Sequence, residues 1–165
     1  MTGTSTSYAG RQLDIELLLH VSEPVDQRVR PSVGGDGDGP GICAGMEKVV
    51  QRYAKLFLTE LGSVRFDELL GNNLLSSMRN GQVYSTSWVT HLFNEANRNV
   101  LNAMILDDNS TDVFGQIPDD ERIESAELVS LDVKQESASV SIHVRITTLA
   151  GESYEYIAPV AVGVS

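Results

Sequence analysis

Four carboxylates fall in the stretch from Glu47 to Glu68: Glu47, Glu60, Asp67 and Glu68. Paired carboxylates are the machinery of glycoside hydrolysis. A retaining enzyme holds two of them about 5 Å apart, an inverting one holds them farther apart, and one of the pair needs an apolar setting that keeps it protonated. Glu60, beside Leu61, is the position from which a general acid would act. With 23 Asp and Glu in 165 residues, some close pair is inevitable, so proximity alone carries little weight. Glu60 reads as a surface charge near a helix end, and no catalytic residue is assigned.

Other chemistries fare no better. His20, His91 and His143 fall on separate elements without repeated spacing, whereas zinc needs three or four converging ligands. Gly62-Ser63-Val64 lacks the second glycine of a nucleophile elbow. The stretch 31–41 carries Gly34, Gly35, Gly37, Gly39 and Gly41 with Asp36, Asp38 and Pro40. No Gly-Lys-Ser/Thr follows, and the third oxygen ligand and distal glutamate of a calcium loop are missing, so it reads as a flexible, solvated loop. Cys43 is the only cysteine, which rules out a disulfide framework and a thiolate cluster. No cofactor and no metal are expected. A formal net charge of −11 argues against nucleic acid and anionic membrane as partners, because phosphate contacts need clustered Lys and Arg. The polar start has no apolar core of signal-peptide length, and no later stretch is long enough to span a bilayer.

The elements that would position any site follow from periodicity. Residues 1–10 are small and polar, a flexible terminus before a single domain over 11–165. Leu13, Ile15, Leu17 and Leu19 alternate with Asp14, Glu16 and Leu18, as in a strand with one strongly buried face. Val49, Val50, Tyr53, Leu56, Phe57 and Leu61 line one face of a helix, with Gln51, Arg52, Lys55 and Glu60 opposite and Gly62 as its C-terminal stop. Asp67 or Ser63 would cap a short second helix bearing Leu69 and Leu70. The longest helix runs from about Trp88 to Leu106 behind hydroxyl caps at Ser85 to Ser87. Its expected buried stripe is Trp88, Leu92, Ala96, Val100, Leu101 and Met104, flanked by Phe93. The stretch 107–120 turns polar and reads as a second flexible loop. Beyond it the period becomes two: Leu131 and Val133, then Val140, Ile142, Val144 and Ile146, then Tyr154, Tyr156 and Ile157, stopped by Pro159. Short connections make this an antiparallel meander. The fold class is α+β, helices including one long one packed on a three- to four-stranded, mainly antiparallel sheet.

The order Leu58-Thr59, Gly62, Arg65, Gly71 and Leu74 resembles the signature of the small wedge proteins of contractile-tail baseplates, found in phages and in related injection machines. Asp14-Ile15 also fits the start of that family, and the likeness runs from Asp14 to the C-terminus. Leu70 stands where the family has an aromatic residue before the glycine. Pro118-Asp119-Asp120-Glu121-Arg122-Ile123 stands where it has a glutamate-proline-arginine motif. The family's label refers to lysozyme, which keeps a cell-wall-cleaving glycosidase as the alternative, with a free-standing adaptor domain as a third.

The resemblance implies a structural subunit, not an enzyme, retained in the virion after assembly in the host cytoplasm. Its partners would be other wedge proteins and the tail sheath protein, with tube or hub proteins as further contacts. Arg65 would either pin its own loop or reach a neighbouring subunit, and Glu121 and Arg122 would serve as partner contacts. Sheath subunits of such tails link by adding strands to one another's sheets. Tyr154, Tyr156 and Ile157, followed by the apolar tail with Val160 and Val162, would then offer an edge strand whose unpaired backbone groups another chain satisfies.

Overall fold

The computed structural model describes residues 42–65, 67, 70–80, 85–111, 117–134 and 139–161, together with the backbone of 14–15, 18–19 and 30–31. Strands β1 (Asp14–Ile15), β2 (Leu18–Leu19), β3 (Arg30–Pro31) and β4 (Ile42–Cys43) are two-residue pieces, β1 pairing with β4 and β2 with β3, both antiparallel. Of the strand expected from Leu13 to Leu19, residues 14–15 and 18–19 are extended and the others lie outside the described residues. Helices α1 (Met46–Phe57), α2 (Leu74–Arg79) and α3 (Thr86–Thr111) follow. After them come a 3-10 turn at Asp119–Glu121 and strands β5 (Ile123–Lys134), β6 (Ser139–Thr148) and β7 (Ser153–Ala161). The last three form an antiparallel sheet in the order β5-β6-β7, and the fold is α+β.

The helices cover one face of that sheet, α3 against β5 and α1 and α2 against β7. Val140, Ile142, Val144 and Ile146 of β6 and Tyr156, Ala158 and Val160 of β7 supply its inner face. From the helices come Val49, Val50, Tyr53, Phe57, Leu74, Met78, Val89 and Phe93. The Tyr53 and Phe57 rings stack at 5.5 Å, and Phe93 closes on Phe57 at 5.7 Å. The Tyr53 hydroxyl donates to Asn97 Oδ1 at 2.8 Å, and Asn97 Nδ2 donates to the Ala126 carbonyl at 2.7 Å, tying α1, α3 and β5 together.

Several expectations change. Helix α1 ends at Phe57, not at Gly62, and Leu61 beyond it is 46% exposed. Gln51, placed on the polar face, is buried. The second helix starts at Leu74 rather than around Asp67, because the intervening chain is spent on turns. Ala96, Val100 and Met104 of α3 are buried as expected, but in its first half Val89 and Phe93 are the fully buried positions, Phe93 being central rather than flanking, while Trp88, Leu92 and Leu101 are partly buried against the core. Ser85 Oγ accepts from the Trp88 N–H and caps that helix, which continues to Thr111 into the stretch expected as loop. Pro159 does not stop β7. An edge strand tolerates a residue without an N–H, and Pro159 pairs with Ser141 inside it. The loop 32–41 lies outside the described residues.

Candidate interaction surfaces

Past Phe57 the chain leaves α1 and returns to it at Asn72. Thr59 Oγ1 donates back to the Lys55 carbonyl, and the Ser63 N–H donates to the Glu60 carbonyl across a tight turn whose third residue, Gly62, has φ +75°. The return is a backbone clip: Asn72 N–H donates to the Thr59 carbonyl and Leu61 N–H to the Asn72 carbonyl, each at 3.0 Å. Asn72 Nδ2 reaches the Phe57 carbonyl at 3.0 Å and its Oδ1 accepts from the Leu74 N–H, so one buried amide satisfies the end of α1 and the start of α2. Gly71 makes the approach feasible. With φ +107°, a Cβ placed there would lie 2.7–2.8 Å from the backbone of Thr59 and Glu60. Gly71 is therefore demanded by the close approach, whereas Gly62 answers only to its positive φ.

This clipped loop and α3 enclose two adjoining depressions of about 410 and 560 Å³ that share Leu56, Leu70, Ala103 and Leu106. Leu61 lines the first as well, and Leu106 is 69% exposed. Arg52 borders the second, held by Asp107 and Asp108 at 2.8 Å each.

A second surface is the rim of the sheet. Among the described residues nothing pairs with the outer edge of β7, and its register against β6 is uninterrupted. The Thr148 N–H donates to the Glu152 carbonyl at the turn. Antiparallel pairing alternates from there, so Tyr154, Tyr156, Ala158 and Val160 bond to β6, while Ser153, Glu155, Ile157 and Pro159 present their backbone groups outward. Pro159 thus falls where its missing N–H costs the sheet no bond. The opposite edge, β5, is broken by register shifts between Ile123 and Ser125 and between Leu128 and Ser130, which twist a strand away from new pairing.

The residues expected to contact partners divide accordingly. The Ile157 side chain is half-buried on the sheet face away from the helices, and its backbone faces the free edge. Tyr156 and Val160 point into the core, both 3% exposed, and Tyr154 packs against it. Burial pushes the Tyr156 hydroxyl up to about 12, and the Tyr154 hydroxyl is raised by burial and, less, by Glu47. Glu121 is turned inward: Oε1 accepts from the Gly45 N–H at 3.2 Å and Oε2 meets Lys48 Nζ at 2.9 Å, fastening α1 to the start of β5. Arg122 is half-buried, its carbonyl accepting from the Leu149 N–H, and Arg65 is exposed on a turn. Val162 lies outside the described residues.

Glu60 is bound by Arg79 at 2.6 Å, Glu47 and Asp67 are exposed, and Glu68 lies outside the described residues. Among the described residues no group of His, Cys, Asp and Glu converges on a metal position. The depressions beside α3 were missed at the level of sequence, although Leu61 and Leu106 belonged to helix patterns there. No protein-family model matches the chain, and no curated protein matches it.

Proposed function

We propose that this chain is a structural subunit of a contractile-tail baseplate wedge and helps start the sheath by strand addition at its C-terminal sheet. The observation that carries the reading is the outer edge of β7, nine residues with unbroken register and outward backbone groups at Ser153, Glu155 and Ile157. An incoming strand satisfies such a row with main-chain hydrogen bonds. The resemblance carried by Leu58-Thr59, Gly62, Arg65, Gly71 and Leu74 supports the same assignment, with wedge and sheath proteins as partners and the virion tail as the location.

The test follows from the pairing parity. Ile157→Pro removes an outward N–H and leaves the bonds to β6 intact, whereas Tyr156→Pro would cut the sheet itself. Baseplates assembled with Ile157→Pro should retain the subunit, with its melting temperature close to wild type, and fail to polymerise sheath. Contractile tails of normal length and number from that variant would sink the strand-addition reading. Deleting residues 162–165 asks the same of the tail without touching Val160, which the core needs.

A further inference from the structure

Helix α3 ends where its sequence argues against a helix. Asp107, Asp108, Asn109, Ser110 and Thr111 are poor helix formers in a row, their short polar side chains competing for nearby backbone groups. The C-terminal end of a helix is the negative pole of its dipole, so carboxylates there oppose it and a basic residue would relieve it. The last turn of α3 has no basic residue, and Asp107 and Asp108 stand at its threshold. Yet the helix runs on to Thr111. Ser110 Oγ donates to the Asp107 carbonyl at 2.9 Å, which satisfies one carbonyl left over at the end but brings no positive charge.

The missing cation comes from another helix. Arg52, in the middle of α1, places one guanidinium nitrogen 2.8 Å from Asp107 Oδ2 and the other 2.8 Å from Asp108 Oδ1. The Asp108 side chain is only 5% exposed, whereas that of Asp107 is 65% exposed. A planar fork that spans two successive carboxylates fixes both side chains at once, which a compact ammonium does not do. Leu106, the residue before this pair, and Ala103, one turn earlier, line both depressions beside α3. We infer that the last turn of α3 is a releasable turn, helical only while Arg52 bridges Asp107 and Asp108, and that its release withdraws Leu106 from the wall the two depressions share. The chain leading to β5 gains slack at the same moment. This inference stands independently of the strand-addition reading, since it concerns the opposite layer of the molecule.

The test is residue-resolved amide exchange on the full chain, comparing the amides of Asn109, Ser110 and Thr111 with those of Phe93, Val100 and Met104. In Arg52→Gln the first set should exchange about tenfold faster or more, and the second set at the wild-type rate. Adding Asp107→Asn and Asp108→Asn to Arg52→Gln should recover much of the protection, since neutral amides neither oppose the helix end nor need the guanidinium. That recovery separates a lost charge from a lost side-chain contact. Arg52→Lys should fall between wild type and Arg52→Gln. In the wild type, with no substitution at all, exchange of the first set should quicken as salt is added, and in Arg52→Gln it should not. Unchanged exchange at residues 109–111 in Arg52→Gln would overturn the proposal. So would a loss of protection spread evenly over both sets, no recovery in the triple variant, or a wild-type turn indifferent to salt.

Discussion

Gly62 and Gly71 share a left-handed backbone and differ in surroundings, which makes them a matched pair of probes. A Cβ at Gly62 meets open space, so Gly62→Ala should cost only the conformational penalty of about 1 kcal/mol. At Gly71 the same atom collides with the Thr59 and Glu60 backbone, so Gly71→Ala should cost about 3 kcal/mol and loosen the clip. At roughly 2–4 °C for each kcal/mol, thermal melts will separate the two variants. The tyrosines give a second prediction. Tyr156 is raised to about 12 by burial, and Tyr53 is raised further by burial and then by Tyr156. Both are neutral when protonated, and the folded state keeps its protons where the unfolded chain releases them near pH 10. Their contribution is therefore complete below pH 10 and falls as pH climbs from there, through 12 for Tyr156 and over a wider range for Tyr53, at about 1.4 kcal/mol per pH unit for each tyrosine. Tyr156→Phe should remove about half of that slope in urea titrations at alkaline pH.

Among the elements, α1 and α3 carry the packing. Phe57 and Phe93 are fully buried and touch, so Phe57→Ala or Phe93→Ala should each cost about 3–5 kcal/mol. Leu92 lines the depression and is only partly buried against the core, so Leu92→Ala should cost less, about 1–2 kcal/mol. Melts in which Leu92→Ala matches Phe93→Ala would mean that the two faces of α3 are exchanged. Those faces also explain what was legible in the sequence. The period of 3.6 marks the helix, but Leu92 and Phe93 are both apolar neighbours, and only tertiary contact decides which faces inward. The alternation in β6 was readable residue by residue because its inward positions are aliphatic and its outward ones polar. For α1, the apolar period continued to Leu61 while the helix stopped at Phe57. The cause is the Asn72 amide and the Gly71 approach, a contact from fifteen residues away that no local pattern encodes.

At the scale of the molecule, two layers leave two kinds of unfinished surface: the depressions beside α3 on the helical side and a strand edge on the sheet side. The α+β class was legible from the change of period near Leu131. The surfaces were legible only in part, because exposure of Leu61 and Leu106 depends on how the layers meet. The edge strand was visible as apolar alternation, yet its pairing parity was not. Tyr156 and Val160 looked like contacts and serve the core instead, while Glu121, at the end of the 3-10 turn before β5, reaches back to Gly45 and Lys48 and ties that turn to α1. Removing that carboxylate from its buried pair, as in Glu121→Ala, should cost about 3–5 kcal/mol in chemical denaturation without altering the β7 edge.

That parity has a kinetic signature. Among the described residues nothing pairs with the outward amides at Ser153, Glu155 and Ile157, while those of Tyr154, Tyr156 and Ala158 are locked against β6. Along β7 the exchange of amide hydrogen for deuterium should therefore keep a two-residue beat, fast then slow, until Pro159 drops out of the rhythm for want of a proton. A strand laid along the edge would silence the fast half of the beat and leave the slow half as it was.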